Sequence, residues 1–96
     1  MCELCDLVAG NRPTKVWYED DKIVIVDCKT CGVPMVVWKE HKAELTQGEQ
    51  SLVMLRIVQR FPRKKGYEYT VRLKMRKIKD HWHCHLDGFK EAKDVS

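Results

Sequence analysis

The run HWHCHL at residues 81–86 alternates imidazoles with Trp82, Cys84 and Leu86. A β-strand turns successive side chains to opposite faces, so this pattern sets His81, His83 and His85 on one face and the apolar residues on the other. The segment is predicted as a strand with one side against a core and its polar side committed to chemistry. Of the four histidines in the chain, three are in this row. A single histidine on a strand is most often an ordinary surface residue. Three in register with the strand period point to metal ligation, or to nucleophilic and acid–base work on a phosphoryl group.

Ninety-six residues make one domain with a single core, small enough for a bound metal to add useful stability. We expect one domain over 1–96, with a loose polar tail from about residue 90. No apolar run approaches the roughly 18 residues of a membrane span. The first ten residues, MCELCDLVAG, carry acids and lack a long apolar stretch, unlike a secretory signal, so a cytoplasmic location is expected. In that compartment five cysteines read as metal ligands or thiols rather than disulfides, and an odd count agrees.

Short extended elements dominate. Residues 15–19 and 22–28 are rich in β-branched and aromatic side chains, and Asp20 and Asp21 between them mark a hairpin turn. After the Gly32 and Pro34 loop, MVVWKE forms a third strand ending near His41. Thr46, three residues before Glu49, is a capping-box signature; Leu52, Leu55, Ile57, Val58 and Phe61 follow at helical spacing until Pro62. This is the one clear helix. Residues 67–76 alternate again and give a fourth strand, half buried. Paired antiparallel with the histidine strand across residues 77–80, it brings Arg72, Lys74 and Arg76 onto the imidazole face, a surface suited to a phosphoryl group.

Charge supports that surface. The formal net charge is +4, and nine of the eighteen Lys and Arg residues lie between Arg60 and Lys79 against one acid, Glu68. Most such runs are solvated faces; the functional alternative is a phosphate-bearing partner, a nucleotide or a polynucleotide.

Two metal sites compete. Cys2 with Cys5 and Cys28 with Cys31 are both C-x2-C pairs, and together they make a zinc-ribbon pattern with a spacer of 22 residues, just beyond the usual range. Cys2, Cys5, His41 and His81 make a Cys2His2 set that ties the N-terminus to two strands. Spacing alone slightly favours the ribbon, which would make the chain a nucleic-acid binder.

Across most of its length, however, the chain resembles the histidine triad (HIT) proteins. CELCDLVAGNRPTKVWYEDDKIVIVD resembles their amino-terminal stretch, and Gly32, MVVWKEH, the helix from Thr46 and HWHCHL follow in the family's order. The resemblance implies an α+β fold with an antiparallel sheet of about five strands and one main helix, a homodimer, and a purine nucleotide or nucleotide conjugate as ligand. It further implies hydrolysis or transfer of a nucleotidyl group through a covalent nucleotidyl-histidine. His83 would attack the α-phosphate and His85 would contact the phosphate or leaving group. Asp27 would hold the ribose, and Leu4, Leu7 and Ile25 would line the base pocket. Zinc-bearing relatives place the metal on the residues that here are Cys2, Cys5, His41 and His81.

The chain departs from the family pattern at four points, one of them a shortened segment between the helix and the triad. Asp87 takes the last apolar position of the triad motif, and Val33 stands where a histidine is common. Residues 76–80 read RKIKD in place of the Gly, Gln and Ser segment that cradles the α-phosphate, so Arg76, Lys77 and Lys79 are expected to supply its charge. A nucleotide-binding relative without turnover is the alternative on the same fold. Nucleic acid is the lesser expectation as a partner.

Overall fold

Residues 23–26 are an unbroken apolar run that alternation cannot explain, and they open a strand, Ile23–Asp27, whose two faces are both covered. The structure is a computed structural model and describes residues 3–10, 15–28, 32–73 and 81–91. The strands are β1 (Val16–Glu19), β2 (Ile23–Asp27), β3 (Pro34–Trp38), β4 (Glu68–Arg72) and β5 (His83–Lys90), with helices α1 (Glu3–Val8) and α2 (Gln47–Arg60) and a 3-10 turn at Arg63–Lys65. They form one antiparallel sheet in the order β1-β2-β3-β5-β4. The fold is α+β, as expected, and β4 and β5 are neighbours.

Register assigns the faces. Ile25 pairs with Val36 and Val36 with Cys84, and residues opposite one another across a ladder share a face. That face meets Val53, Ile57 and Phe61 from α2, and takes in Trp38, Trp82 and Leu86. The opposite face carries Val24, Val26, Met35 and Val37, covered by Leu4 of α1. His83 pairs with Val37 and His85 with Met35, so the imidazoles belong to this second, largely apolar layer. Trp82, Cys84 and Leu86 do face the core. The imidazole face is more covered than a half-buried strand implies: His83 is buried beside Val37, and His85, partly exposed, stands between Met35 of β3 and Arg72 of β4, the one described cation of the three expected on this face.

The capping box forms. Thr46 Oγ1 accepts the Glu49 amide at 3.2 Å and Glu49 Oε1 accepts the Thr46 amide at 2.9 Å, a motif in which loss of the cap residue typically costs about 1 kcal/mol. The buried stripe of α2 is Val53, Ile57 and Phe61, spaced by four, whereas Leu55 and Val58 are exposed. Among the described residues three elements differ from expectation: β4 ends at Arg72 and leaves Leu73 exposed, where alternation predicted a strand over 67–76. Helix α1 is too short for a periodic signal, and packing of Leu4 against the sheet accompanies it. Strand β5 continues past Leu86 to Lys90 through a bulge at Gly88, whose φ of +66° favours glycine. This carries Phe89 against Phe61.

The β1–β2 turn is fastened by one carboxylate. Asp20 Oδ1 accepts the amides of Lys22 and Ile23, and Oδ2 accepts the Tyr18 hydroxyl and Arg56 Nε. Burial pushes this carboxyl up, but those amides, the hydroxyl and the guanidinium outweigh it and hold the pKa below the ordinary 3.8. The resulting stability is full above that ordinary value and is lost as pH falls through the lower folded-state value. In thermal melts between about pH 5 and pH 2, Asp20→Asn is expected to be less stable at the upper end and to lose less on acidification. An acid limb identical to wild type would show that Asp20 is not a linked group.

Candidate metal and histidine site

Backbone pairing builds the site before any ligand is considered. Trp82 donates its amide to the Lys42 carbonyl at 2.6 Å, and Trp38 donates to the Trp82 carbonyl at 3.2 Å. The bend that precedes β5 is thereby stitched to the end of β3 and the loop that follows it. His81 lies in this bend, fully buried, with His41 beside it at 5.1 Å between ring centroids. Helix α1 brings the third member: Cys5 Sγ is 3.0 Å from His41 Nδ1 and 3.5 Å from His81 Nδ1.

The ligand atoms of Cys5, His41 and His81 all lie within 4.8 Å of one another. A tetrahedral zinc with ordinary Zn–S and Zn–N bonds sets S···N separations of about 3.6 Å, so a small outward adjustment admits the ion. The donor set, one thiolate and two imidazoles, suits zinc. His81 is also oriented from behind. Its Nε2–H donates to the Trp38 carbonyl at 2.6 Å, which commits Nδ1, the nitrogen facing Cys5, to the lone pair that a metal needs. The three residues therefore fit a zinc ion.

Cys2, the expected fourth ligand, lies outside the described residues, as does Cys31. Cys28 packs with the α1-side layer and is not a member of the Cys5 group. Cys5, His41 and His81, three of the four residues of the expected Cys2His2 set, are together, and Cys28 of the ribbon pattern is not among them.

His83 is buried and His85 is partly exposed, with their rings edge-to-face at 5.5 Å. His83 Nδ1 is 2.9 Å from the His81 carbonyl. A carbonyl only accepts, so Nδ1 carries a proton, and in the neutral tautomer this contact selects the lone pair is on Nε2. Cys84, between the two histidines in sequence, faces the α2 core, and burial pushes its thiol up to about 12. It is inert at neutral pH.

The other predicted residues divide by face. Leu4 and Leu7 belong to the α1-side layer that His83 and His85 share. Ile25 lies in the α2-side core, separated from the imidazoles by the sheet. Asp27 closes β2, where its Oδ1 accepts the Trp17 indole N–H at 2.6 Å; this contact with β1 had no sequence signal. Arg76, Lys77 and Lys79 fall outside the described residues. Sequence reasoning also missed the Trp38 and Lys42 carbonyls, since any residue type can supply them. Among the described residues no helix is long and apolar enough to cross a membrane.

No protein-family model and no curated protein matches the chain. Solved structures do. A hypothetical protein from Leishmania major superposes with a TM-score of 0.70 at 18% identity, over 99% of this chain and 82% of that one. A Streptococcus mutans UA159 protein gives 0.68 at 25% identity, over 99% and 69%. A HIT family hydrolase from Legionella pneumophila gives 0.64 at 18% identity, over 99% and 98%. With five antiparallel strands, one main helix and near-complete mutual coverage of that hydrolase, the chain has a HIT-like α+β fold.

Proposed function

We propose that the protein binds a purine nucleotide conjugate and hydrolyses it, or transfers its nucleotidyl group, with His83 as the nucleophile. The observation that carries this reading is the 2.9 Å contact between His83 Nδ1 and the His81 carbonyl, because it leaves the attacking lone pair on Nε2. Nε2 attacks the α-phosphorus, forming an N–P bond as the bond to the leaving group breaks. The leaving group departs with the electron pair and takes a proton from the His85 imidazolium. Water then attacks phosphorus, the N–P pair returns to Nε2, and the water proton passes to His85. A zinc held by Cys5, His41, His81 and Cys2 would supply a structural cross-link. These ligands anchor the bend whose carbonyl orients His83.

The test uses adenosine 5′-phosphoramidate as substrate and AMP as a binding probe. In His83→Ala turnover is expected to fall to background while AMP affinity is kept, because nucleophile and pocket contribute separately. Rapid quench of the wild type into alkaline denaturant, in which the N–P bond survives, should find the nucleotidyl group on His83 and none on His81. A wild type that binds AMP without turning over any nucleotide conjugate would leave a binding protein on this fold. A nucleotidyl group on His81, or no AMP binding at all, would overturn the proposal.

A further inference from the structure

β4 places one cation opposite the histidine pair. Arg72 is the cross-strand partner of His85, so the two side chains leave the sheet on the same face with Cβ atoms about 5 Å apart. Asp87 follows His85 by two residues, which returns it to that face, and its Oδ2 lies 2.7 Å from Arg72 Nε. The Arg72 side chain is about four-fifths buried, at 21% exposure. A flexible surface cation has thereby become a fixed one. Asp87 is also a residue where the sequence departs from the triad motif, in which an apolar side chain is usual.

An ion pair with a carboxylate this close limits where a guanidinium can point, and the planar fork of N–H donors it carries matches two oxygens of a phosphate. His83 and His85 on the same face need such a charge, because phosphoryl transfer develops negative charge on the non-bridging oxygens. We propose that Arg72, aimed by Asp87, binds the phosphoryl oxygens of the nucleotide beside His83 and His85, and so takes over the role of a backbone phosphate cradle. This rests on the nucleotide reading given above. The plain alternative is a cross-strand ion pair that only supports the β4–β5 ladder, a role that makes no distinction between ligands with and without phosphate.

The experiment compares AMP with adenosine by calorimetry. Wild type is expected to favour AMP, and Arg72→Gln to lower AMP affinity about 10- to 100-fold, the scale of charged hydrogen bonds, with adenosine affinity unchanged. Arg72→Lys should recover part of the preference, since it restores charge without the fork. Saturating AMP should also shift the Arg72 Nε–H resonance in the wild type, a readout that stands if the variants fail to fold. An Arg72→Gln protein that keeps the full AMP preference, or an Nε–H resonance unmoved by AMP, overturns the assignment and leaves nucleotide binding intact. Wild type that binds neither AMP nor adenosine overturns both.

Discussion

His41→Ala is expected to strip the protein of zinc and to lower its melting temperature, while the double variant Cys28→Ser with Cys31→Ser keeps one zinc per chain. His41 Nδ1 is 3.0 Å from Cys5 Sγ, and its loop is tied through the Lys42 carbonyl to the bend that carries His81. Losing a direct ligand should weaken zinc by more than the roughly 10- to 100-fold that loss of an outer-shell partner costs. Much of that binding energy is folding energy in a domain of this size, so a chelator should bring the wild-type melt down to that of His41→Ala. Metal content by mass spectrometry and melts with and without chelator decide it. Zinc lost from the cysteine double variant but kept in His41→Ala would establish the four-cysteine site instead.

Phe61→Ala should be among the most destabilising single substitutions in the core, costing about 3–5 kcal/mol. Phe61 is fully buried at the end of α2 and meets Trp17, Tyr67, Tyr69 and Phe89 edge-on, with ring centroids between 5.1 and 6.2 Å. Its carbonyl accepts the Tyr69 hydroxyl at 3.0 Å. One ring therefore joins the helix to both edge strands and to the far end of β5. With roughly 4–8 °C per kcal/mol for a domain of this size, the melting temperature should fall by at least about 12 °C. Leu55→Ala on the same helix, half exposed, should stay within about 0.5 kcal/mol of wild type. Equal losses from the two substitutions would mean that the aromatic cluster is not the centre of the core.

Local signals were legible wherever chemistry and backbone geometry coincide over a few residues. Thr46 and Glu49 spelled the start of α2, because a hydroxyl and a carboxylate three residues apart satisfy the first free amides of a helix. Alternation in HWHCHL put Cys84 and Leu86 into the core and His83 and His85 on the opposite face, because the pleat has a period of two. The triad's resemblance to HIT proteins added the sheet and the grouping of Cys5 with His41 and His81, which spacing alone had ranked behind the ribbon.

Tertiary structure decided what local period cannot encode. Cys5 meets histidines 36 and 76 residues away, and Cys28 does not join them, because the grouping depends on α1 lying over the second face of the sheet. No six-residue periodicity announces such a helix. The position of β5 between β3 and β4 set His85 between an apolar residue, Met35, and a cation, Arg72, and Ile25 went to the opposite core: register, a long-range quantity, assigns each face. The Trp38 and His81 carbonyls that orient His81 and His83 belong to the backbone. Sequence chose the imidazoles, and packing alone chose which nitrogen of each keeps its lone pair.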